Sequence, residues 1–241
     1  MRDGSRDLGQ RLGLSPRQTW WRVRDYACVL RWQATGFMAR VEPEDLRRPD
    51  RPVGPPVVLV PGVYESWHFL LPLATLLRDH GVAVHVLPEL RDNRRPVADG
   101  AVLLARYLRE QDLRDVVVVA HSKGGLIGKL AMVRESPGGR IASMIAINTP
   151  FAGSAYARWF VQPSIRAFVP SDATIVALSA ERAVNERITS VHSRWDPHIP
   201  AGSFLDGAHD VVLETPGHFR PLADPRLHEL LVETIVGPQA S

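Results

Sequence analysis

Cysteine occurs once in the 241 residues, at Cys28. One thiol excludes an intramolecular disulfide and leaves a cysteine-based metal site short of ligands, so no metal is expected. Long apolar runs are also missing. No stretch approaches the roughly 18 uninterrupted apolar residues of a membrane helix. The opening residues MRDGSRDLGQRLGLSPRQ lack the apolar run of a secretory leader, and a cytoplasmic location is the expectation. Lysine is scarce: Lys123 and Lys129 are the two among 29 basic residues.

A net charge of +3 and a pI near 9.4 invite the idea of a polyanion partner. The distribution of charge argues against it. Residues 1–50 hold 10 Arg and 7 acids, whereas the remainder holds 19 bases and 19 acids. A neutral body has no general attraction for nucleic acid, and none is expected as a partner. With 45% hydrophobic and 23% charged residues, the chain has the composition of a folded globular protein. Its length fits one domain, residues 51–241, preceded by a basic extension, residues 1–50.

Residues 1–16 are polar. Residues 17–40 read as a helix. At 100° per residue, Trp20, Val23, Tyr26, Ala27, Leu30, Ala34, Phe37 and Met38 share an arc of about 120°. Asp25 falls opposite, and the polar Arg22 and Gln33 lie outside the arc. The arc admits two readings. Trp beside Arg suits a peripheral membrane contact, and an apolar stripe equally suits packing on the domain or on a second subunit. Residues 42–56, rich in Pro and charge, read as a linker.

Short apolar strands then alternate with helices. Strands are expected at 57–61, 82–87, 116–120, 141–147, 188–192 and 211–213. Helices are expected at 67–80, 97–111, from the elbow to about 135, 173–183 and 225–235. Continuous apolar strands between helices imply an α/β fold, with a mostly parallel sheet covered on both faces.

The segment VVVVAHSKGGLIGKL, residues 116–130, carries the main chemical signal. A buried strand turns at once into a helix with Ser122 at the tip. Small residues two before and two after, Ala120 and Gly124, let strand and helix backbones approach. The hydroxyl then stands clear of the sheet at a helix N-terminus, where developing negative charge is favoured. An ordinary turn with a Ser cap would look similar. The strand before and the helix after favour the nucleophile elbow.

On this motif the chain resembles the α/β-hydrolase superfamily, most closely small bacterial lipases and esterases. The resemblance runs from about residue 57 to 236. It implies a serine nucleophile, then an acid, then a histidine base in chain order. Asp196, past the strand at 188–192, matches the acid position; Asp172, Asp206 and Asp210 are rivals. His218, in the Gly-His loop between the last strand and last helix, matches the base; His209 is the rival, placed before that strand. The oxyanion donors would be the backbone N–H groups of Lys123 and Val63. The Val63 loop carries Pro61-Gly62 where the family usually has His-Gly, and so lacks a polar residue that often braces it. Asn148-Thr149-Pro150-Phe151-Ala152-Gly153-Ser154 resembles another family stretch. It opens a short segment, residues 151–172, after the fourth strand, read either as a small cap or as a surface helix. Tyr64, Trp67, His121, Phe151, Trp159 and Phe160 are the expected pocket residues.

The resemblance thus implies hydrolysis of a small-molecule or lipid ester through an acyl-enzyme, without a cofactor. Acyl transfer and thioester cleavage use the same apparatus. A non-catalytic ligand-binding member would keep the fold alone.

Overall fold

A computed structural model describes residues 15–38, 41–135 and 139–237. Six strands form one sheet: β1 (Val57–Val60), β2 (Val84–Val86), β3 (Val116–His121), β4 (Ile141–Ile147), β5 (Ile188–Ser193) and β6 (His209–Leu213). Their order is β2-β1-β3-β4-β5-β6, and every neighbouring pair is parallel. Successive strand residues face opposite sides of the sheet. Val58, Val60, Val118, Ala120, Met144 and Ala146 therefore enter one apolar cluster, while Val57, Leu59, Val117, Val119, Ile145 and Ile147 enter the other. Both sides are buried, which is why the strands read as unbroken apolar runs.

Helices α1 (Pro16–Met38) and α2 (Pro43–Arg47) precede β1, and α3 (Leu71–Asp79) follows it after a 3₁₀ turn, Trp67–Leu70. Helices α4 (Val97–Glu110) and α5 (Lys123–Glu135) flank β3. After β4 come α6 (Pro163–Arg166) and α7 (Ala173–Ala180), and α8 (Pro225–Val236) follows β6. Leu104 and Leu108 of α4, Leu126 and Ile127 of α5 and Leu178 of α7 cover the first face. Leu73 and Leu77 of α3 and Leu227 and Leu231 of α8 cover the second. Each such side chain contributes about 1.5–3 kcal/mol through burial.

Three local expectations need correction. The stretch 42–56 is not all linker: Pro43–Arg47 is helical, because Leu46 is buried and the Glu42 N–H donates to the Asp45 carboxylate at 3.1 Å. The last strand begins at His209 rather than after it. The helix expected at 173–183 stops at Ala180.

The larger correction concerns α1, whose last two expected residues, 39–40, lie outside the described ones. It packs on the body through the face expected to be polar. Asp25 is fully buried, and Trp32 packs edge-on to Phe69 at 5.5 Å. Trp20 and Val23, from the apolar arc, remain 59% and 56% exposed. Apolar periodicity ranks faces by side-chain hydrophobicity. Here a carboxylate whose oxygens are fully hydrogen-bonded decides the matter.

Candidate active site

Because all six strands run the same way, their C-terminal ends share one edge of the sheet. Gly62 and Val63 follow β1, Ser122 follows β3, Asn148 follows β4, Asp196 follows β5 and His218 follows β6. Residues far apart in sequence thus meet above that edge.

Ser122 takes φ +51°, a left-handed conformation that a serine adopts only when its surroundings hold it there. Its N–H donates to Ile147 O at 2.8 Å, which ties the turn to β4. A Cβ on Gly124 would lie 2.2 Å from Val60 O. Only glycine lets α5 start this close to β1.

His218 Nε2 lies 3.0 Å from Ser122 Oγ, and His218 Nδ1 lies 2.6 Å from Asp196 Oδ2. The other Asp196 oxygen accepts from the N–H groups of His198 (2.7 Å) and Ile199 (3.2 Å). All three side chains are buried. Burial opposes a charge on His218, but the adjacent Asp196 carboxylate, with smaller help from Glu65 and Asp25, raises its pKa above the ordinary imidazole value. Burial likewise opposes the Asp196 charge, yet the His218 charge and hydrogen bond hold its pKa below the usual carboxylate value. Burial, followed by the His218 charge, pushes His198 down to about 3, so that ring is neutral.

The His218 loop is held from three sides. Asn148 Nδ2 donates to His218 O at 2.8 Å and Gly217 O at 3.2 Å, while Asn148 Oδ1 accepts from Ser193 N at 2.9 Å. His121 Nε2 donates to His218 O at 3.0 Å. From α1, the Asp25 carboxylate accepts from the N–H groups of His218 (2.8 Å), Phe219 (3.0 Å) and Arg220 (2.9 Å). Gly217 sits at φ +124°, and a Cβ there would lie 2.3 Å from the Asp25 carboxylate.

The Val63 loop is braced by a residue that the sequence reading missed. Glu65 accepts from Gly62 N at 2.6 Å and pairs with His121 Nδ1 at 2.8 Å. Asn93 Nδ2 donates to Pro61 O at 2.7 Å. A carboxylate three residues on, and an amide from another loop, thus hold a loop that the sequence reading left without a polar brace. The Lys123 side chain points away from the serine. Its Nζ donates to Asn93 O at 2.7 Å and to Arg95 O, and burial lowers its pKa to about 8.

A cavity of about 790 Å³ opens over Ser122 and His218. Val63, Tyr64, Trp159 and Phe160 line it, as do Tyr156 and Phe168 of the segment after β4. Tyr64 Oη and Ser164 Oγ, 2.9 Å apart, join the Val63 loop to that segment. Three expected pocket residues lie elsewhere. Trp67 stacks on His68 at 3.7 Å within the core, and His121 is sealed behind His218. Phe151 is buried with Lys129 over its ring at 5.9 Å. Each stands next to a site loop in sequence but points to its inner side. The missed lining residues Arg22 and Tyr26 come from α1. Among the described residues, no cluster of His, Cys, Asp or Glu could hold a metal ion, and no helix is long and apolar enough to cross a membrane.

No protein-family model matches the sequence, and no curated protein matches it by sequence. Solved structures do match in shape. A Bacillus licheniformis lipase in its mature form superposes with a TM-score of 0.64 at 16% identity, over 78% of this chain and 93% of that one. An α/β-hydrolase fold protein from Burkholderia ambifaria gives 0.57 at 16% identity, over 76% and 90%. An extracellular α/β-hydrolase from a Paenibacillus species gives 0.53 at 15%, over 75% and 99%. With the all-parallel sheet and the sharp turn at Ser122, these likenesses show that the chain has the α/β-hydrolase fold.

Proposed function

We propose that the protein is a serine hydrolase that cleaves carboxylic esters through an acyl-enzyme. The observation that carries this reading is the unbroken relay from Ser122 Oγ to His218 (3.0 Å) and on to Asp196 (2.6 Å). His218 takes the Ser122 proton as the oxygen attacks the carbonyl, then gives it to the leaving alcohol. Asp196 fixes the tautomer with Nδ1 protonated and stabilises the imidazolium. The N–H groups of Val63 and Lys123 receive the tetrahedral oxyanion; one such donor is worth about 3–4 kcal/mol. Water, activated by His218, then releases the acid. The aromatic lining, including Tyr64, Trp159 and Phe160, supports an apolar acyl chain.

Ser122→Ala should lower kcat on nitrophenyl esters by roughly 10⁴–10⁶ and abolish labelling by a fluorophosphonate probe. Unchanged turnover in the variant, or no labelling of the folded parent protein, would overturn the assignment.

A further inference from the structure

The cavity over Ser122 is largely apolar; Glu65, Ser154, Gln162 and His198 add polar groups to its lining, and α1 contributes Arg22 and Tyr26. Tyr26 Oη is occupied, 3.3 Å from His198 Nε2. Arg22 is not. Among the described residues its one hydrogen bond is long, 3.5 Å from Nη2 to Pro197 O. A guanidinium carries five N–H donors in a planar fork, so most of this donor capacity has no partner among the described residues, and Arg22 lines the cavity.

The neighbouring acids cannot supply one. The Asp25 oxygens are taken by three backbone N–H groups, those of Asp196 by His218 and two N–H groups, and those of Glu65 by His121 and Gly62. Arg22 forms no ion pair with any described carboxylate. Nor is its position loose. It lies one turn from Asp25, whose buried hydrogen bonds pin this part of α1 against the His218 loop. A part-buried, anchored cation at the edge of an apolar cavity is a built receptor for an anionic oxygen group.

We infer that the preferred ester carries a carboxylate at the end remote from the scissile bond, held by the Arg22 fork while its apolar chain lies along the aromatic wall. This rests on the ester-hydrolase reading and narrows it to acidic amphiphiles.

The test uses 4-nitrophenyl hemiesters of linear dicarboxylic acids in a graded series of lengths. Each is compared with the same compound capped as its methyl ester. At one length the full-length protein should favour the acid over its neutral twin by about tenfold in kcat/KM, the size of one charge-assisted pair. Added salt should shrink that ratio. Arg22→Gln should bring the ratio close to one, and Arg22→Glu should invert it. No preference at any length, or an unchanged ratio in Arg22→Gln, would overturn the inference.

Binding provides a readout free of turnover. Calorimetry on Ser122→Ala should show the monomethyl hemiester binding about tenfold tighter than the dimethyl ester, with the gap closed in Arg22→Gln/Ser122→Ala. Equal binding in both proteins would also overturn the inference. Failure of the ester-hydrolase reading is a different result: no turnover and no fluorophosphonate labelling, whatever the binding shows.

Discussion

Asp25 accepts a hydrogen bond from the backbone N–H of His218 at 2.8 Å, across 193 residues of chain. The same carboxylate takes the next two N–H groups, so one buried anion fixes the loop that presents the imidazole to Ser122. Loss of a buried acceptor leaves its donors unpaired, at about 1–3 kcal/mol each. Asp25→Ala should therefore lower Tm by at least roughly 6 °C, at about 2–4 °C for each kcal/mol lost in a chain of this size. A shift of the imidazole by a fraction of an ångström should cut kcat about tenfold to a hundredfold. Asp25→Asn, with one acceptor oxygen, should recover part of the Tm. In both variants the acid limb of the rate profile should move to lower pH, because the Asp25 charge helps to raise His218. A fall in Tm with kcat and pH profile unchanged would reduce Asp25 to a fold-stabilising role.

The pH dependence follows from the His218 shift. On the proposed mechanism His218 must be neutral to accept the serine proton, and burial is outweighed by Asp196, so deprotonation is pushed to higher pH. The acid limb of kcat/KM should then fall above the ordinary imidazole pKa of about 6.5, with a slope of one. Asp196→Asn removes the main raising cause. Its residual activity, reduced roughly 10⁴-fold, should show a limb displaced to lower pH. A parent limb below the ordinary value would contradict this electrostatic account.

Glu65 joins Gly62 to His121, the residue before the serine. Glu65→Ala should free the Val63 loop, and on the proposed mechanism a displaced oxyanion donor costs up to about 10²–10³ in kcat. KM should change little, since the donor acts on the transition state. A rise in KM with kcat preserved would mean that the loop shapes the pocket and does not hold the oxyanion.

Why some of this was legible in the sequence and some was not comes down to range. Ser122, Asp196 and His218 each stand just past a short apolar strand, a local pattern that chain order makes readable. The sheet followed from the same runs. Glu65 is the intermediate case: it is three residues from Gly62, but its role depends on His121 from another strand. Asp25 left no signal, because its partners are backbone N–H groups that any sequence carries. Arg22 and Tyr26 were hidden with it, since that carboxylate sets how α1 is turned against the body. Trp67 and Phe151 show the converse: neighbours in sequence to the site loops, they turn toward the core.

The reach of Asp25 also orders events in time. Helix α1 is synthesised early, but its docking partner, the loop after β6, appears 193 residues later. At about 5–20 residues per second, that delay is roughly ten to forty seconds on the ribosome. For that interval Asp25 has no loop to hold and Ser122 has no His218 beside it. On the proposed mechanism a nascent chain therefore lacks a complete site until its last strand and the loop beyond it are made.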